Sequence, residues 1–211
     1  MSAPAARRLR IKVAHGQIET LIEMPDAVRF PTPQGLALIA HPHPLHGGTL
    51  DNKVTWTLAR AALACGLIAV RPNFRGVGAS SGTFDHGQGE TDDLLAIAAA
   101  VSAYYPDIPW TLLGFSFGGY VQHRVAQHLP ATQAILVAPA VTLYAFDALP
   151  LPTTIIQGDA DEVVPYAAVQ AYAARQAIPL ITLPECGHFF HGRLRELQTQ
   201  VEALLCPSRS N

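Results

Sequence analysis

Apolar residues recur along this chain in short runs separated by polar stretches, and their spacing changes from run to run. Residues 6–24 alternate. Arg8, Arg10 and Lys12 stand against Leu9, Ile11 and Val13, and the pattern resumes after His15-Gly16 with Ile18, Leu21 and Ile22. Period-two alternation on both sides of a turn predicts an antiparallel hairpin at one edge of a sheet. The proline-rich residues 25–35 read as a loop. After them the runs at 36–40, 67–70, 110–113, 133–138, 153–157 and 180–183 are short and mostly apolar, as strands covered on both faces are. Helical stretches separate them: 53–65, about 89–105, a segment that ends before Pro130, another that ends at 177, and about 191–205. Asp51 or Asn52 can cap the first of these, and Gly66 ends it. Strands alternating with helices predict an α/β fold. Its twisted sheet is mostly parallel, with helices on both faces and a site at the strands' C-terminal ends.

Composition narrows the picture. With 211 residues, 49 % apolar and 14 % charged, the chain is expected to be a single domain over 1–211, with loose termini at 1–5 and 207–211. A net charge of −2 with scattered Lys and Arg gives no surface for nucleic acid or an anionic membrane. No apolar run reaches the ~20 residues of a membrane helix, and the arginines of the N-terminus are followed by no apolar segment of a secretory signal. Cys65, Cys186 and Cys206 are odd in number and lack metal-type spacing. Buried free thiols and a cytoplasmic location are therefore the expectation.

The candidate chemistry centres on 110–120. A strand runs into Gly114-Phe115-Ser116-Phe117-Gly118, and a helix follows. This is a G-x-S-x-G turn in the strand–turn–helix context that pushes a serine Oγ out above a sheet. Serine is a weak nucleophile unless a histidine takes its proton and a carboxylate orients that histidine. The ends of two later strands supply both, in the order Ser116, Asp161, His188. Asp161 is preferred to Asp159, which suits a turn role, and His188 to His191. Two backbone N–H groups should hold the oxyanion: that of Phe117, and one from the loop after 36–40. Pro42 and Pro44 cannot donate, so Leu45 is placed first and His43 second. Pocket walls are expected from His43, Leu45, Phe115, Phe117, Tyr144, Phe146 and Phe189. His41, His43 and His46 approach a dinuclear metallohydrolase motif, but Leu45 stands where that motif carries aspartate. A structural role for the imidazoles is favoured, and neither metal nor cofactor is expected. Asn73 to Ser80 contains a glycine pair without the other marks of phosphate binding. It reads as a structural loop in which Arg75 bonds carbonyls or a carboxylate.

Together these motifs resemble the α/β-hydrolase superfamily, and more narrowly the small, lidless bacterial serine hydrolases of the carboxylesterase and dienelactone-hydrolase-like type. The residues that carry the resemblance are His41-Pro42-His43-Pro44 with 47–53, Asn73 to Ser80, Gly114 to Gly118, Gly158 to Pro165, and Gly187 to Phe190. They span about 36–205. The resemblance implies the α/β-hydrolase fold, catalysis by Ser116, Asp161 and His188, and hydrolysis of carboxylic esters. Dienelactone hydrolases use cysteine where this chain has Ser116, so acyl transfer carries over and dienelactone specificity does not. Only 141–152 lies where larger relatives insert a lid. An open site for small or short-acyl esters is expected, in a monomer or homodimer. Thioester or amide hydrolysis on the same residues, a metallohydrolase at the histidine loop, and a non-catalytic binding protein are the alternatives.

Overall fold

The computed structural model describes residues 6–206. The termini expected to be loose lie outside the described residues. Eight strands and five helices follow one another as β1 (Ala6–Val13), β2 (Gly16–Glu23), β3 (Gly35–Ala40), α1 (Lys53–Ala64), β4 (Leu67–Pro72), α2 (Gln88–Ser102), β5 (Trp110–Phe115), α3 (Phe117–Val125), β6 (Ala131–Val137), β7 (Thr153–Gly158), α4 (Tyr166–Gln176), β8 (Leu180–Leu183) and α5 (Leu194–Leu205). One sheet holds all eight strands in the order β1-β2-β4-β3-β5-β6-β7-β8. The hairpin β1–β2 joins β4 antiparallel and forms the edge that its alternation predicts; the other neighbours are parallel.

Successive side chains of a strand point to opposite faces, and this divides the core in two. Leu36 and Leu38 of β3, Leu112 of β5 and Leu136 of β6 pack with Ile97, Val121 and Val169 from α2, α3 and α4. Ala37, Ile39, Leu113 and Ile135 face the other way, against Val54 and Leu58 of α1 and Leu197 and Val201 of α5. Both sides of every central strand are therefore apolar, which is why those strands show no alternation in the sequence. Asn52 is the cap of α1, its Oδ1 accepting from the Val54 N–H at 2.9 Å. Asp51 stays exposed beside Arg8. Arg75 bonds Asp93 at 2.8 Å and the Gly89 carbonyl at 2.8 Å, as a structural loop requires.

The cysteine expectation is corrected. Cys65 and Cys206 form a disulfide between the ends of α1 and α5, with Cα atoms 5.6 Å apart. Only Cys186 is a free, buried thiol. The two helices lie side by side on one face, a neighbourhood that a separation of 141 residues hides from the sequence. The free-thiol argument for a reducing compartment falls with this pairing. Among the described residues no helix is long and apolar enough to cross a membrane.

Candidate active site

The turn from β5 into α3 places Ser116 at φ +55° and ψ −116°, a backbone conformation that L residues rarely adopt. The flanking glycines are needed because the chain doubles back tightly. A Cβ on Gly114 would meet the Gly118 carbonyl, and one on Gly118 would meet the carbonyls of Ala40 and His41. The start of α3 thus abuts the exit of β3. The Phe117 N–H, first of the helix, has no partner within it.

His188, on the loop after β8, reaches across to this turn. Its Nε2 lies 3.1 Å from Ser116 Oγ, and its Nδ1 lies 2.8 Å from Asp161 Oδ2. All three side chains are buried or nearly so. Asp161 follows β7. Its Oδ1 accepts from the N–H groups of Val163 and Val164 at 2.8 and 2.7 Å, and Gln157 Nε2 donates to Oδ2 at 2.8 Å. Burial by itself would raise the Asp161 carboxyl. The His188 hydrogen bond, the Val164 N–H, the His188 charge and the Val163 N–H outweigh it and hold the carboxyl below its ordinary value. Because Asp161 is an acceptor, Nδ1 of His188 carries the proton and Nε2 is left to accept from the serine. Glu162 fixes the same loop from outside, its Oε2 accepting from the His188 N–H at 3.2 Å.

The loop after β3 forms the opposite wall. His41 is fully buried. Its Nδ1 donates to the Pro42 carbonyl at 2.7 Å, and its Nε2 accepts from the Phe74 N–H at 2.9 Å. Burial, only partly offset by the Pro42 bond, pushes its pKa down to about 3. His43 lines the cavity and is likewise held below its ordinary value, by burial and then by repulsion from His46 and His86. Among the described residues no cluster of three or more His, Cys, Asp or Glu is placed to hold a metal ion. The motif fails geometrically because His41 points into the core and both its nitrogens are engaged.

A cavity of about 530 Å³ opens over Ser116, lined among others by His43, Gly47, Phe117, Tyr144, His188 and Phe189. Three expected wall residues lie elsewhere. Phe115 is wholly buried beneath His188, ring centroids 5.0 Å apart. Phe146 packs against His123 and Tyr172 in the core. Leu45 sits in a single 3-10 turn, Pro44–His46, outside the cavity lining. Its N–H is engaged by His43 Nδ1 at 3.2 Å, whereas the His43 N–H meets no other protein group among the described residues. Gln157 and Glu162 were not legible as site residues. A lone glutamine next to the last residue of a strand carries no chemical signature in sequence, and only its distance to Asp161 identifies it.

The sheet order, the strained serine turn and the cleft uncovered by any inserted domain define a lidless α/β serine hydrolase. The chain belongs to the α/β-hydrolase superfamily, and its residues 32–146 match the family described as serine aminopeptidase, S33. It is similar to an α/β serine hydrolase homologue from Coxiella burnetii, with 40 % identity, a TM-score of 0.88, and coverage of 94 % of this chain and 97 % of that one. A serine hydrolase without a lid from Xanthomonas campestris aligns at 36 % identity and a TM-score of 0.90, over 98 % of this chain and 95 % of that one. An uncharacterized protein of Rickettsia prowazekii (strain Madrid E) is 31 % identical over 191 residues, 83 % of this chain and 80 % of its own length.

Proposed function

We propose that this hydrolase cleaves small or short-acyl carboxylic esters through an acyl-enzyme on Ser116. The observation that carries the reading is the unbroken line of hydrogen bonds from Ser116 Oγ through His188 to Asp161. His188 Nε2 takes the Ser116 proton as Oγ attacks the ester carbonyl, and returns it to the leaving alcohol. Asp161 holds the imidazole in the Nδ1–H tautomer and stabilises its cation. Water then enters by the same route and releases the acid. The Phe117 N–H is the first oxyanion donor. The second is the His43 N–H, in place of the Leu45 N–H, because the latter is already bonded within its own turn. Each such donor contributes roughly 3 kcal/mol to the transition state.

The wall segment 141–152 is too short for a helical lid, and a cavity of about 530 Å³ suits a small substrate. The family description names an amide-cleaving activity, and thioesters share the machinery as well. A serine site able to open amides also opens activated esters, so ester assays test the shared chemistry. Hydrolysis of p-nitrophenyl acetate, butyrate, octanoate and decanoate should favour the short chains. Ser116→Ala should lower kcat by at least about a thousandfold, with no effect of EDTA on the wild type. Undiminished activity in Ser116→Ala rejects the mechanism, and faster cleavage of decanoate than butyrate rejects the substrate size.

A further inference from the structure

We propose that this site selects uncharged substrates, binding an apolar group against Leu143, Val163 and Phe189 and turning away esters that bear a carboxylate or an ammonium near the scissile bond. The inference rests on the esterase reading above. Its basis is the composition of the cavity wall. Among the described residues, those lining the space over Ser116 include no Asp, Glu, Lys or Arg. On one side stand His43, His46 and Asn52, and on the other the three apolar side chains. Leu143, Val163 and Phe189 are 68, 46 and 42 % exposed, so a bound apolar group would cover surface that now faces water.

Three carboxylates near the rim already have partners. Asp161 lies beneath the cavity, and its two oxygens accept from His188, Gln157, Val163 and Val164. Glu162 turns its carboxylate to the His188 N–H. Asp51, next to Asn52, pairs with Arg8. His43 is shifted toward its neutral form and offers no fixed cation. A carboxylate or ammonium drawn into this space sheds part of its hydration and meets no Asp, Glu, Lys or Arg among the described lining residues, an exchange that disfavours binding. A neutral group of similar size incurs no such loss. The peptide amine of an aminopeptidase substrate and the free acid of a half-ester fall on the disfavoured side. Neutral esters with a short alkyl or an aromatic group fall on the favoured one.

The test uses three p-nitrophenyl esters of similar length on the full chain: the butyrate, the monosuccinate and the 3-aminopropanoate. The butyrate is expected to exceed each charged ester in kcat/KM by at least about tenfold after subtraction of spontaneous hydrolysis. Leu143→Arg, which sets a cation at the apolar rim, should raise the succinate-to-butyrate ratio at least about fivefold. Near-equal kcat/KM for butyrate and either charged ester in the wild type would overturn charge selection while leaving the esterase reading intact. No cleavage of any ester, with no labelling of Ser116 by a fluorophosphonate, would overturn both.

Discussion

His41 offers the sharpest test of how the proposed oxyanion loop is held. No peptide bond among the described residues is cis, so the Pro42 carbonyl and the His43 N–H point in opposite directions from one planar unit. The His41 Nδ1–H grips that carbonyl at 2.7 Å from the core side, which on this reading would aim the His43 N–H toward the cavity. The other ring nitrogen accepts from the Phe74 N–H at 2.9 Å. Two substitutions separate these duties. In His41→Asn the amide nitrogen reaches about as far as Nδ1, so the Pro42 bond survives and the Phe74 N–H is orphaned. In His41→Gln the amide oxygen reaches as far as Nε2, so Phe74 keeps an acceptor and Pro42 loses its donor. Complete loss of an oxyanion donor costs about 10²–10³ in kcat. A peptide freed to tilt keeps part of that bond, so kcat of His41→Gln should fall by about 10–100-fold with KM nearly unchanged. His41→Asn should stay within about threefold of wild-type kcat, yet lose about 1–3 kcal/mol of stability from the unsatisfied buried N–H. Steady-state kinetics on p-nitrophenyl butyrate and thermal melts of both variants read out the pattern. The reverse pattern, with His41→Asn slow and His41→Gln at wild-type kcat, would refute the positioning argument.

Acid should destabilise the protein in two stages. His41 has a pKa of about 3 in the fold against 6.5 free, so below pH 6.5 the unfolded chain takes up a proton that the folded one refuses. Glu19 is held at about 2 against 4.5, chiefly by the Ala79 N–H and Arg8, and its contribution fades as pH drops from 4.5 toward 2. The melting temperature should be steady above pH 7 and fall by at least about 5 °C by pH 4.5; a flat profile over that range would contradict the His41 assignment, and no further fall below pH 4.5 would contradict that of Glu19. The disulfide Cys65–Cys206 predicts a single titratable thiol in the denatured, unreduced chain and three after reduction. Reduction should cost about 2–5 kcal/mol of stability and leave kcat of the folded enzyme unchanged, since neither cysteine lines the cavity. Three thiols before reduction would exclude the bridge.

Legibility followed the reach of local signals. Alternation of side chains marked the hairpin, and unbroken apolar runs marked the central strands, because each pattern records how many faces of a strand meet the core. Ser116 stood out because its turn demands small residues at 114 and 118, a steric need that the backbone itself imposes. His188 and Asp161 are suggested by the order of the strands, with the spacing inside each loop favouring them over His191 and Asp159. What escaped depended on contacts across the fold. Phe115 and Phe146 looked like pocket residues because aromatic side chains suit both pockets and cores, and only the faces of β5 and α3 decide between them. Eliminating prolines points to Leu45, because the sequence does not show the short 3-10 turn that engages its N–H. Cys65 and Cys206 meet only because α1 and α5 share a face.

The positive φ of Ser116 sets chemistry and durability against each other at a single residue. A non-glycine residue held in such a sparsely populated region costs on the order of 1–3 kcal/mol, and glycine would relieve most of it. Ser116, the proposed nucleophile, is therefore the one position in the turn where the fold gains from giving up the side chain that the proposed reaction requires. Selection for stability alone would favour glycine at 116, where the proposed reaction needs serine.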